Sequence, residues 1–186
     1  MIMEIEMKEQ NFSNPGAVGL GGFALTTFVL NVANAGLIPQ ALVAALPLGI
    51  FYGGLTQFIA GLFEFRTGNT FGMTAFTGYG SFWMAFAFLM YSPQIHLMNP
   101  NNLGPILGIT FVSWTIFSAI MSLLSFRTKD KTTITIFVLV FFLFLLLDIA
   151  QYTGNKVVAM VAGYEGIATA LVAWYGMYLA IKSQFD

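Results

Sequence analysis

Apolar residues run along this chain in six blocks of about twenty, separated by short polar or turn-rich interruptions. Twenty residues at about 1.5 Å each match a hydrocarbon core about 30 Å thick, so each block predicts a membrane-spanning helix. The blocks are 17–38, 41–65, 69–91, 103–126, 132–150 and 157–181. Pro39, the stretches 92–102 and 151–156, and the charged run 127–131 mark the breaks. The shortest break, 66–68, carries Arg66, whose charge can reach the membrane surface while its stem stays apolar. The expected fold is an all-α integral membrane protein of six transmembrane helices. Its parts are a tail at 1–16, a helical domain at 17–181 and a short tail at 182–186.

Composition strengthens this reading. Of 186 residues, 58% are apolar and 8% charged, against about 45–50% and about 25% in ordinary soluble domains. Too little charge is present to clothe a water-facing surface, so lipid is the expected solvent. Arg127, Lys129 and Lys131 form the sole basic cluster and net charge is −1, which leaves no footprint for nucleic acid. Cysteine is absent, which removes disulfides and thiolate chemistry. Glu4, Glu6, Lys8 and Glu9 precede any long apolar run, so the start reads as a soluble tail and not a signal peptide. With six spans, Lys8, Arg66, Arg127, Lys129, Lys131 and Lys182 fall on the side of the N-terminus, and Lys156 alone falls opposite. Basic loops stay in the cytoplasm, so both ends are expected there, in a cell membrane.

The blocks differ in character. Residues 136–147, IFVLVFFLFLLL, are apolar on every face and can meet lipid over much of their surface. The first three blocks interleave small residues, as in GIFYG (49–53), GNTFG (68–72) and TGYGS (77–81), and GPILG (104–108) follows in the fourth. Such spacing lets helix backbones approach closely. Polar residues inside the blocks are the functional candidates, because they are costly in lipid without partners or a wet cavity. Thr27, Asn31 and Asn34 are four and three residues apart and form one polar stripe on the first helix. Gln57, Glu64, Asn69, Thr70, Thr74, Thr77, Tyr79 and Glu165 add to the set. No lysine or arginine lies mid-span, so an anion would be met by hydroxyls, amides and helix ends, weakly, as rapid passage requires. Glu64 beside Arg66 reads as an interfacial ion pair or a proton carrier. Glu165, deeper and without a cation, is the second candidate for proton coupling. Asp148, near Lys156, reads as an interfacial carboxylate. His96 has no companion ligand, so neither a metal nor another cofactor is expected.

Two stretches carry a resemblance. NPGAVGL at 14–20 resembles the NPAPLGL signature of the acetate uptake transporter family, the succinate-acetate permeases, and GIFYGGLTQFIAGLFEFRTGNTFGMTAFTGYGSFW at 49–83 is similar to that family's most characteristic segment. The resemblance implies six helices per protomer in a ring-shaped homohexamer. Each protomer would carry acetate and related small carboxylates, with succinate in some members, as an anion channel or a proton-coupled permease. It also implies an apolar constriction of a Phe, a Tyr and a Leu. These fall at Phe23, at Tyr79 and near Val140, with Leu139 adjacent. Ala17 stands where the signature has its second proline, which frees a backbone N–H at that mouth. The residues expected to meet the carboxylate or its water are Thr27, Asn31, Asn34, Gln57 and Tyr79, the last through its hydroxyl.

Three other readings compete. Asn14-Pro15-Gly16 and Asn99-Pro100-Asn101 resemble the paired boxes of neutral-solute pores, though both lie at span edges. Tight glycine packing alone would suit a receptor or assembly subunit without transport. An enzyme is the least favoured, since no nucleophile and base, metal cluster or phosphate loop is present.

Overall fold

A computed structural model describes residues 13–186. The first twelve residues, with Glu4, Glu6, Lys8 and Glu9 of the expected tail, lie outside the described residues. Helix α1 spans Gly16–Asn34. Pro15 stands just before it, where a missing N–H costs nothing, and Asn14 Oδ1 accepts the Gly16 N–H at 2.9 Å. The helix stops four residues earlier than the apolar pattern suggests, because Gly36 turns the chain with φ +75. Helices α2 (Ala41–Ile50) and α3 (Gln57–Arg66) are joined by a π-helical segment, Phe51–Thr56, into one rod. Pro47 inside α2 has no N–H to give the preceding turn, and the wider π turn follows four residues on.

Helix α4 is Thr70–Tyr91, with Asn69 Oδ1 accepting the Gly72 N–H at 2.9 Å. Helix α5 is Leu103–Ser125. Helix α6, Lys131–Thr153, starts at Asp130, whose Oδ2 accepts the Thr133 N–H at 2.7 Å, and ends at Gly154 in the left-handed conformation. Helix α7 is Lys156–Lys182, capped by Asn155. No strand occurs among the described residues.

Five segments are long and apolar enough to cross a membrane: Gly16–Asn34, Ala41–Arg66, Pro100–Thr128, Lys131–Thr153 and Lys156–Lys182. Helix α4 matches the remaining expected block in position and length. Its hydropathy is diluted by Thr70, Gly72, Thr74, Thr77, Gly78, Gly80 and Ser81, several of which serve contacts with other helices.

Glycines set the closest approaches. A Cβ on Gly22 of α1 would lie 2.5 Å from the Tyr52 carbonyl of the π segment, and one on Gly53 would lie 2.6 Å from Thr26 Oγ1. On α4, a Cβ on Gly80 would lie 2.7 Å from the Phe58 backbone nitrogen. On α7, Gly163 and Gly166 receive the Asn34–Ala35 backbone and the Asn31 side chain, which is why α7 packs so extensively along α1. Helix α6 is less free to face lipid than its uniform sequence implies. Ile136, Phe137, Val140, Leu143 and Phe144 are buried, and these offsets of one, four, seven and eight define one helical face.

Candidate functional site

Phe23 on α1 and Tyr79 on α4 face each other with ring centroids 6.2 Å apart and planes at 53°. Tyr79 also packs on Trp114, Phe117, Phe137 and Phe144, at centroid distances of 5.3 to 6.4 Å. Its hydroxyl donates to Ser118 Oγ on α5 at 2.9 Å, and Ser118 is fully buried. Without a substrate, the hydroxyl expected to meet the carboxylate is thus engaged by Ser118. The ring presents its apolar surface toward Phe23. Burial and neighbours leave the phenol a structural clamp as much as a wall.

Two cavities lie along the bundle. One, of about 300 Å³, is at the end where Asn14 and Gly16 begin α1 and Leu179 and Ala180 approach the end of α7. It is the near cavity below. The other, of about 280 Å³, reaches Asn34 at the end of α1, Met90 near the end of α4, and Gln151 near the end of α6. It is the far cavity. Three residues line both: Phe23, Tyr79 and Val140. All three are buried, with Val140 only 2% exposed. Leu139, its neighbour, is only partly buried and lines neither cavity.

The remaining candidates divide between the two spaces. Thr27, Asn31 and Asn34 line the far cavity as one stripe. Asn31 Nδ2 donates to the Thr27 carbonyl at 2.8 Å, and Asn34 Nδ2 donates to Asn31 Oδ1 at 3.1 Å. Gln57, the first residue of α3 after the π segment, lines the near cavity with its Oε1 buried and unpartnered. Pro47 and the following π turn shift the register of the rod at this point, which sets the direction of Gln57. Glu64 lines the near cavity too. It does not form the expected pair with Arg66. The residue is 3% exposed, and its carboxylate accepts from Thr67 Oγ1 at 3.1 Å and Asn69 Nδ2 at 2.8 Å, while Arg66 is exposed. The chain turns at Thr67 and Gly68, folding the start of α4 over the carboxylate.

Two acidic residues line neither cavity. Glu165 lines neither cavity and accepts from Thr169 Oγ1 at 3.0 Å on its own helix. Asp148 is not an interfacial carboxylate near Lys156. It is buried between α6 and α5 and accepts from Thr115 Oγ1. The two Asn-Pro boxes cap the starts of α1 and of the turn before α5 and do not meet. Ser118 and Asp130 were not legible as site residues. A lone serine among apolar neighbours ordinarily bonds its own helix, and only the α4–α5 register brings Tyr79 to it. Among the described residues, no lysine or arginine lines either cavity.

The two cavities share Phe23, Tyr79 and Val140 in their walls, and comparison with known proteins bears on this directly. Residues 3–185 match the GPR1/FUN34/yaaH family. The chain belongs to this family. It is 36% identical over 180 residues to the succinate-acetate/proton symporter SatP of Escherichia coli strain K12, covering 96% of this chain and 94% of that protein. It is 40% identical over 185 residues to the ammonia transport outward protein 2 of Saccharomyces cerevisiae. It is 35% identical to acetate permease A of Emericella nidulans. The chain spans about 63% of the length of each of these two fungal relatives. Among solved structures, that of the bacterial acetate channel SatP superposes with a TM-score of 0.88 at 35% identity, covering 94% of this chain and 96% of that one. The family resemblance read from residues 14–20 and 49–83 therefore holds across the whole chain. The protein is a membrane protein, with several helices able to span and a family of transporters around it.

Proposed function

We propose that this protein carries acetate and similar small carboxylates, succinate among them, through a path within each protomer, as an anion channel or a proton-coupled permease. The observation that carries the reading is the meeting of two cavities at Phe23, Tyr79 and Val140, in a chain matching nearly the full length of proteins described as an acetate channel and a succinate-acetate/proton symporter. In this reading the ring strips water from acetate and slows bulkier or more hydrated anions, succinate included. Thr27, Asn31 and Asn34 on one side and Gln57 on the other replace part of the lost hydration, without a fixed cation to trap the ion. Helix α4 is the sixth span, six protomers form a ring, and both ends lie in the cytoplasm of the cell membrane. Residues 17–181 form the transmembrane domain, between tails at 1–16 and 182–186. Glu64, on the near cavity, and Glu165 are the candidates to carry a coupled proton.

Radiolabelled acetate uptake into liposomes holding the purified chain, with empty liposomes as control, tests the reading. Uptake that follows a pH gradient at clamped voltage means proton coupling. Uptake that follows membrane potential and ignores pH means a channel. No uptake above the leak of empty vesicles ends the acetate reading.

A further inference from the structure

A third space opens on the outside of the bundle, between the start of α1 and the length of α3. It holds about 460 Å³ and shares only Asn14 with the near cavity, and none of Phe23, Tyr79 and Val140 lines it. Val18, Ile59 and Phe63 form its walls, and they are 50%, 42% and 58% exposed. In a membrane-spanning bundle the medium that meets such walls is lipid. The polar groups are gathered at one end: Ser13 and Asn14 precede α1, and Arg66 and Thr67 close α3. From Arg66 down to Thr56, the far end of the cleft on α3, is about 15 Å along the helix axis. The cleft therefore runs from a charged rim to an apolar floor, deep enough for most of one acyl chain.

The rim has a charge to satisfy. Arg66 ends the apolar span Ala41–Arg66, which sets its guanidinium at the membrane surface. Glu64 does not neutralise it, because that carboxylate accepts from Thr67 and Asn69. Among the described residues Arg66 forms no ion pair, and no carboxylate lines the cleft. Asn14 Oδ1 accepts the Gly16 N–H, while its amide nitrogen makes no hydrogen bond among the described residues. A guanidinium fork beside amide N–H donors matches the oxygens of a phosphate. An extended protein segment would bring unpaired backbone N–H and C=O groups between Val18, Ile59 and Phe63, whereas an acyl chain brings none.

We infer that the α1–α3 cleft is a binding site for an anionic phospholipid, with the headgroup phosphate on Arg66 and Asn14 and one acyl chain on Val18, Ile59 and Phe63. Phosphatidylglycerol is favoured over phosphatidylcholine, whose choline cation opposes Arg66. The inference does not depend on what the protein carries.

The test uses the full chain in phosphatidylcholine liposomes with a trace of phosphatidylglycerol that bears a photoreactive diazirine on one acyl chain. A second preparation carries the same reactive chain on phosphatidylcholine, and labelled peptides are mapped by mass spectrometry after illumination. Phosphatidylglycerol should label residues 13–18 and 56–67 at least about fivefold more than phosphatidylcholine does, the preference that one basic residue at an anionic surface supports. The excess should vanish in Arg66→Gln and shrink in Ile59→Trp, which fills the apolar part of the cleft. It should persist in Arg127→Gln, which removes an equal charge at the same end of the bundle. Equal labelling by the two lipids means ordinary contact with surrounding lipid and overturns the inference. So does an excess retained in Arg66→Gln or in Ile59→Trp, or one lost equally in Arg127→Gln, which is attraction to charge anywhere on that surface. Cleft peptides unlabelled by either lipid, but joined by a chemical cross-linker to a second copy or to residues 1–12, overturn it in favour of a protein occupant.

Discussion

The Tyr79 hydroxyl donates to Ser118 Oγ across the α4–α5 interface at 2.9 Å, with both residues almost wholly buried. This bond joins positions 39 residues apart and holds the Tyr79 side chain that lines both cavities. Ser118→Ala should leave the hydroxyl unpaired in an apolar setting, at a cost of about 1–3 kcal/mol. Thermal melting of the purified protein should show the loss, and the ratio of acetate to lactate flux should fall because the tyrosine ring is no longer held. An unchanged ratio would mean that Phe117 and Trp114 hold the ring without help.

Shrinking the ring from its other members acts on passage directly. Phe23→Ala and Val140→Ala should each raise lactate uptake several-fold relative to acetate in liposomes. Leu139→Ala, next to Val140 but off both cavities, should not. If the leucine variant widened selectivity and the valine variant did not, the ring would have a different third member.

Packing predictions follow from the close approaches at glycine. Gly22→Ala would drive a methyl group into the Tyr52 carbonyl, at a distance of 2.5 Å. Backbone cannot yield as a flexible side chain would, so the expected destabilisation is about 1–3 kcal/mol, read as lower yield and melting temperature. Gly104→Ala meets only the end of Gln151 at 3.4 Å and should be close to neutral by the same measurements.

Asp130 offers a pH test outside the membrane. Burial alone would raise its pKa, but hydrogen bonds from the Thr133 side chain and from the Thr133 and Thr132 backbone N–H groups outweigh it, and the carboxyl sits below its ordinary value. A group depressed in the folded state stabilises the fold above its unfolded pKa, about 3.9 for aspartate. That contribution is lost as pH falls through the lower folded value. Asp130→Asn keeps an N-cap acceptor, so its melting temperature should lose less than the parent's between about pH 5 and pH 3. Parallel curves would remove Asp130 as a source of acid sensitivity.

Glu64→Gln separates a fold role from a transport role. Thr67 and Asn69 both donate to the same carboxylate oxygen, Oε2, so the oxygen of an amide can accept both, less strongly without the charge. Melting temperature should drop only slightly. If proton-driven acetate uptake also disappears while voltage-driven uptake persists, Glu64 carries the proton; if both persist, its role is to hold the α3–α4 turn.

Much of this molecule could be read from its residues, and the reasons are local. Span lengths follow from the apolar runs, and helix starts at Asn69, Asp130 and Asn155 follow from short polar side chains that cap exposed N–H groups. The stripe of Thr27, Asn31 and Asn34 needs only the period of one helix, and it was found whole. The matched segments at 14–20 and 49–83 pointed to the right family because they hold the close-packed glycines of α1, the π segment and α4.

What remained hidden depends on which helix faces which. Nearness in sequence offers Glu64 an ion pair with Arg66 as one of two roles, yet the turn at Thr67 and Gly68 carries Asn69 back over the carboxylate. Asp148 looked interfacial by its distance from the end of α6, and Thr115 of another helix shows it to be packed inside. Uniform hydropathy gave α6 no inner face, whereas packing chose Val140 over Leu139. Periodicity by itself determined that this chain is a bundle of helices made for lipid, with a polar stripe on the first. The resemblance already pointed to Phe23, Tyr79 and a residue near Val140; only the tertiary structure decided that Val140 and not Leu139 lines both cavities, and that Ser118 holds Tyr79. Contacts between helices depend on rotation and register about each axis, and neither is written in the residues of a single helix.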